Sequence, residues 1–377
     1  MTIWPRAMAV AAVVAGLAAT PAGAQPPVPP VPDGCTLGVL PSNAGALFCV
    51  PEAWNGQLVV YAPGYTPPQL PLGFYQLTAA DGTSLPALVQ SLGFAFATTT
   101  YRKNGLAIVQ GSDDIRELVA AFPVATGRTP AKTHLTGVSY GALIATLLAE
   151  RSPALFSSTL AACGPIGSFR QQVNYLGDFR ALFDYYFPGV LPGSPVAMPA
   201  AAAAAWTSTH VPAIGAAFMA NPGRALELMR VSRVAYDPTN LMTVIDSAVG
   251  VLSYNVLGLN DAIATLGGNP YGNRGRLYFG SSNDFRLNLF IKRYDASPTA
   301  LAAMRQYETS GDLSIPLVTI HTTADPIAPF AHELLYLPKV DLTGRGRFLP
   351  FPVARYGHCS FTGTEVGLAF LFTANLP

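Results

Sequence analysis

A serine, an aspartate and a histidine, in that chain order, are the residues whose types and settings could carry covalent chemistry. Ser139 is the centre of Gly137-Val138-Ser139-Tyr140-Gly141. A hydroxyl is a weak nucleophile until a base takes its proton, and a carboxylate must hold that base in the right tautomer. An apolar run, residues 133–138, leads into the serine, and an Ala/Leu-rich segment leads away from it to about residue 151. The stretch therefore reads as strand, sharp turn, helix. Glycines at 137 and 141 suit that turn, because a side chain at either place would collide with a neighbouring strand or helix. The helix would aim its N-terminus at Ser139 Oγ, where negative charge develops.

The base follows by elimination among five histidines. His134 precedes Ser139 on the strand and falls at the wrong end of a sheet. His210 lies in a helical block. His321 comes before the aspartate and reads as strand, and His332 follows it too soon to come from the end of the next strand. His358 remains, in a loop between Gly357 and Cys359. Asp325 follows the apolar run 316–321 and is stopped by Pro326, which leaves its carboxylate in a loop. Asp312 and Asp341 are the alternative acids. A tetrahedral oxyanion needs two backbone donors. The N–H of Tyr140 is one, and the N–H of Tyr65 is the other, with Gly64 as the alternative in that Pro-Gly loop.

Stepping outward, the elements that must position these groups alternate. Apolar runs at 46–51 (an edge strand), 57–62, 94–101, 133–138 and 157–163 read as strands. A short helix at 85–92 lies between the second and third. A longer one opens at Ser112 as N-cap, with Asp113 and Asp114 in its first turn, and reaches roughly residue 122. This alternation predicts a doubly wound, mostly parallel α/β sheet. Residues 166–312 differ: they are aromatic-rich and helix-like, and are expected to form an inserted helical cap on a core of 45–165 and 313–377. The Gly/Asn-rich loop at 267–280 lacks the strand-then-helix setting of a phosphate site. A strand at 316–321, an edge strand at 347–353 with two prolines, and a helix at 364–372 complete the core.

Half of the 377 residues are hydrophobic, 11% are charged and the net charge is +1, against ~25% charged in ordinary soluble domains. No basic stripe suggests nucleic acid. Residues 1–24 read as a signal peptide cleaved after about Ala24, which predicts a secreted or periplasmic protein. Residues 25–44 read as a Pro-rich linker and N-terminal segment, and no later stretch reads as a membrane span. Four cysteines allow three pairings. Cys35 and Cys49 are a natural local pair. Cys163 and Cys359 would then bridge in an oxidising compartment, pinning the His358 loop, or remain as two thiols. No His-Glu-x-x-His or Cys-x-x-Cys pattern points to a metal.

Taken together, Gly137-Val138-Ser139-Tyr140-Gly141, Thr323-Ala324-Asp325-Pro326 and Tyr356-Gly357-His358 resemble the α/β-hydrolase superfamily over about residues 45–377. The resemblance implies an eight-stranded, mostly parallel sheet, a cap inserted after the sixth strand, and no cofactor. Pro63-Gly64 stands where that superfamily usually has His-Gly, and Val138 stands where tannase-like members have a cysteine. The expected activity is that of a secreted serine hydrolase cleaving carboxylic esters of apolar or aromatic substrates, small or oligomeric. An amidase or aminopeptidase on the same triad is the alternative. An aminopeptidase would need carboxylates to hold a substrate ammonium, drawn from Asp178, Asp184, Glu227, Asp237, Asp246, Asp261, Asp284, Asp295 and Glu308. A non-catalytic binding protein on this fold is the third possibility.

Overall fold

The structure, a computed structural model, describes residues 31–344 and 347–377. The signal peptide expected at 1–24 and the start of the Pro-rich stretch lie outside the described residues.

Eight strands form one sheet: β1 (Cys35–Val39), β2 (Gly45–Cys49), β3 (Gln57–Ala62), β4 (Ala95–Thr99), β5 (Lys132–Val138), β6 (Ser158–Ala162), β7 (Leu317–Ala324) and β8 (Phe348–Tyr356). Their order is β1-β2-β4-β3-β5-β6-β7-β8. The pairs β1/β2 and β2/β4 are antiparallel, and every pairing from β4 onward is parallel. This is the sheet of the α/β-hydrolase fold. The inner strands β3, β4 and β6 are apolar along most of their length because helices cover both faces.

The expected edge strand at 46–51 is not the edge. Residues Cys35–Val39, within the segment read as linker, pair with it as β1, in a register that sets Cys35 opposite Cys49. An edge strand open to solvent needs no apolar alternation, so β1 left no periodic mark in the sequence.

On one face lie α1 (Leu85–Ser91) and, from the end of the chain, the helix that follows His358; on the other lie α2 (Ile108–Thr126) and α3 (Tyr140–Arg151). The start of α2 falls five residues earlier than Ser112 suggested, with Ala107 rather than Ser112 as N-cap. Ser112 is buried inside the helix and donates to the Ile108 carbonyl at 2.8 Å. Asp114 is buried as well. Its carboxylate accepts the Arg102 amide at 2.7 Å and pairs with the Arg102 guanidinium at 2.5 Å, anchoring the β4–α2 loop.

Between β6 and β7 the chain leaves the sheet and builds α4 (Phe169–Tyr186), α5 (Ala201–Ala204), α6 (Val211–Ala220), α7 (Pro222–Ser232), α8 (Thr243–Leu266), α9 (Asp284–Phe290) and α10 (Pro298–Met304). All of these but α10 contribute to a second apolar core around Phe183, Phe218, Leu228 and Leu252, while Ala300 and Met304 of α10 pack into the first. One sequence expectation is corrected here. The 24 residues of α8 are long and apolar enough to cross a membrane by length and composition. Val244, Val251 and Val256 of that helix are buried in the second core. After β7 come α11 (Ala331–Thr343), β8 and α12 (Gly363–Ala374).

Candidate active site

The parallel register brings the ends of the strands level. Ala62 lies beside Gly137, and Val138 beside Ala162. Tyr65, Ser139 and Cys163 therefore leave the sheet from one edge, and Asp325 and His358 leave β7 and β8 on the same side.

Ser139 has φ +53° and ψ −119°, a conformation that L-residues avoid unless their surroundings impose it. Its N–H donates to the Ala162 carbonyl at 2.8 Å. The flanking glycines are required by close approach. A Cβ on Gly137 would run into the Gly141 carbonyl, and one on Gly141 into the Ala62 carbonyl. The turn that presents Ser139 is thus wedged between β3 and the first turn of α3.

Ser139 Oγ lies 2.7 Å from His358 Nε2, and His358 Nδ1 lies 2.7 Å from Asp325 Oδ2. The other Asp325 oxygen accepts the amides of Ile327 at 2.8 Å and Ala328 at 3.0 Å. Burial alone would push the Asp325 carboxyl up. The charge of His358 and hydrogen bonds from His321 and His358 outweigh it, so Asp325 stays below the usual carboxylate range. The histidine loop is held from both ends: Gly357 donates to the Ala324 carbonyl at 3.2 Å, and Thr322 Oγ1 donates to the Gly357 carbonyl at 2.6 Å. A disulfide joins Cys163 to Cys359, and a second joins Cys35 to Cys49.

Tyr140 is the first residue of α3, so its N–H has no preceding turn to bond to. The Tyr65 N–H has no hydrogen-bond partner among the described residues. The Gly64 N–H is taken: it donates to Gln76 Oε1 at 2.5 Å. The alternative donor is thus removed, and Tyr65 is left. Gln76 Nε2 donates back to the Tyr65 carbonyl at 3.1 Å, so one carboxamide clamps the loop on both sides of the free amide. The Tyr65 ring lies 5.3 Å from Tyr254 of α8 and 6.0 Å from Tyr140.

Two residues in this shell were not legible in the sequence. Gln76 lies in an irregular loop with no motif around it. His321, set aside as a strand residue, lies 3.6 Å through Nε2 from Asp325 Oδ2, the same oxygen that meets His358 Nδ1. Its Nδ1 meets Glu333 at 2.8 Å and its Nε2 meets the Ala328 carbonyl at 2.8 Å. Burial disfavours its charge, but Asp325 and Glu333 overcome that and raise its pKa to about 9. The available signal was its position four residues before Asp325 at a strand end. The remaining histidines serve packing. His134 bonds Ser158 and Gln57, and His332 bonds Gln172, with burial pressing its pKa to about 3. The acid at His358 Nδ1 is Asp325, the first of the three candidate aspartates.

Cys163, His358 and Cys359 form a close group of metal-ligand types. Both sulfurs are in the disulfide, so the group offers no thiolate.

Two cavities meet at Ser139, Tyr65 and Tyr254. One, about 410 Å³, runs between the sheet and α1 and α12. The other, about 140 Å³, lies between α4 and α8. Neither is lined by Asp, Glu, Lys or Arg. The nine carboxylates from Asp178 to Glu308 are thus absent from both walls. Asp178 pairs with Arg276, Asp184 with Arg180, Asp261 with Lys103 and Asp295 with Arg274.

No family model matches the sequence, and no curated protein matches it. Among solved structures, the chain is similar to the acylaminoacyl peptidase of Pyrococcus horikoshii at 11% identity and TM-score 0.46, covering 90% of this chain and 41% of that one. It therefore spans less than half the length of that enzyme. Candida antarctica lipase A in its closed state is 15% identical at TM-score 0.46, over 90% of this chain and 76% of the other. Feruloyl esterase B from Aspergillus oryzae is 12% identical at TM-score 0.46, over 87% and 73%. The strand order and the turn at Ser139 define the fold, and likenesses this distant say nothing of substrate.

Proposed function

We propose that this protein is a secreted serine hydrolase that cleaves carboxylic esters of apolar substrates. The observation that carries the reading is the unbroken chain from Ser139 through His358 to Asp325, at 2.7 Å and 2.7 Å, standing where two uncharged cavities meet.

In this reading Asp325 holds the proton of His358 on Nδ1, which leaves Nε2 free to take the Ser139 proton. Ser139 Oγ attacks the acyl carbon. The carbonyl oxygen becomes an oxyanion facing the amides of Tyr140 and Tyr65, at the N-terminus of α3. His358 returns the proton to the departing alcohol, then activates the water that releases the acyl group. Residues 166–312 act as the cap that shields this chemistry from bulk water. Two disulfides support an oxidising compartment. An ammonium-bearing substrate would find no carboxylate in either cavity, so the aminopeptidase alternative has no support in the pocket.

The test compares matched chromogenic acyl esters and aminoacyl anilides with wild type and Ser139→Ala, alongside labelling by a fluorophosphonate. Ester turnover and labelling that both vanish in the variant are expected. Anilide turnover lost in the variant would move the assignment to an amidase. Activity equal to wild type in the variant would remove Ser139 as nucleophile, and absence of both labelling and turnover would leave a binding protein on this fold.

A further inference from the structure

We infer that the cavity between the sheet and helices α1 and α12 is a binding site for a linear aliphatic acyl chain on the order of ten carbons long. The inference rests on the serine-hydrolase reading and adds the substrate class to it.

The cavity is walled by Tyr61, Phe96 and Leu160 of the sheet, Leu88 of α1, and Gly367 and Phe370 of α12, and Ser139 and His358 stand at its mouth. The polar side chains on its sheet wall are already satisfied, and the buried, unpartnered Tyr65 hydroxyl faces Gly258 of α8. Tyr61 Oη donates to the Gln76 carbonyl at 2.8 Å, and Thr136 Oγ1 donates to the Val60 carbonyl at 3.3 Å. A polar or charged ligand would lose its water against that wall and gain no partner there. A methylene occupies about the space of one water, ~30 Å³, so 410 Å³ suits a chain on the order of ten carbons.

Protein interiors seldom leave such space unfilled, and here the sequence keeps it open at a position that could close it. A Cβ on Gly367 would meet the Leu88 methyls in ordinary contact at 3.7 and 3.8 Å, so a methyl is accommodated and a longer side chain would have to enter the cavity. The far walls are the sheet and two helices, which suits the group that stays bonded to Ser139 through both half-reactions. The alcohol leaves after the first, and the cavity between α4 and α8 opens from the same serine toward the other side.

The test is a series of p-nitrophenyl esters from acetate to myristate. Wild type is expected to peak in kcat/KM between about eight and twelve carbons. Gly367→Leu is expected to lower the decanoate ester by tenfold or more while acetate stays within about threefold. Leu88→Ala, beside it on α1, is expected to move the peak to longer chains. A wild-type profile that falls steadily beyond butyrate, or one that both variants leave unmoved, overturns the proposal. Ser139→Ala separates it from the reading beneath it. That protein is expected to bind decanoic acid, seen as displacement of a fluorescent fatty acid, and to lose binding when Gly367→Leu is added. This binding pattern without ester turnover by wild type would sink the hydrolase and keep the cavity. Turnover of short esters without such binding would do the reverse.

Discussion

Cys163 is bonded to Cys359, and each holds its backbone in the left-handed region, at φ +49° and +52°. The bridge spans 196 residues of sequence and ties the end of β6 to the residue after the base. It therefore fixes the His358 loop relative to the turn that presents Ser139. Replacing both cysteines by alanine is expected to destabilise the fold by about 2–5 kcal/mol and to lower kcat more than it raises KM. Thermal unfolding and steady-state kinetics of Cys163→Ala/Cys359→Ala measure the two effects. Unchanged kcat in a destabilised protein would show that the bridge serves the fold alone.

His321 places a positive charge beside the Asp325 oxygen that also holds His358. That charge disfavours a second proton on His358. Removing it raises the affinity of His358 for a proton, so the acid limb of kcat/KM moves to higher pH. The paired variant His321→Gln/Glu333→Gln avoids stranding a buried carboxylate. A shift of the limb upward by about one pH unit is expected. A limb that stays in place or moves down would show that His321 only packs against Asp325.

Gln76 holds the oxyanion loop by accepting from Gly64 and donating to Tyr65. Gln76→Ala releases both, leaving the Tyr65 amide less well aimed. Loss of one oxyanion donor costs roughly 10²–10³ in kcat, and loss of its support is expected to cost about tenfold, with KM for short esters little changed. Gln76→Glu keeps the acceptor and loses the Nε2 donor, and is expected to fall between the two. Wild-type kcat in Gln76→Ala would remove the clamp from the mechanism.

The sheet was legible because strands buried on both faces are apolar along most of their length, as β3 is from Leu58 to Ala62. The strand at 35–39 was hidden by its exposure. The helix start at Ser112 was misread because a serine within a helix can bond back to the residue four before it, and the sequence does not distinguish that from a cap. Asp325 and His358 each follow a strand end beside proline or glycine, Ser139 sits two residues from a glycine on either side, and chain order separated His358 from the other four histidines. Nothing comparable marks Gln76, whose role depends on a loop fold set by distant contacts. His321 was dismissed by the same order rule that found His358, since the rule selects for the base and is blind to a second histidine beside the acid.

His358 lies on a short return from β8 to α12, closed at its base by Arg355 and Glu365 at 2.8 Å. Thr362 and Glu365 cap α12, and Gly367 on that helix forms the cavity wall. Chain length and proton transfer are therefore inherited together on this side of the site, where a change of one disturbs the other. Helix α1 has no such tie to the base. A lineage adapting to longer or shorter substrates would find its freer path through Leu88, and sequence drift among descendants should gather on α1 while α12 changes little.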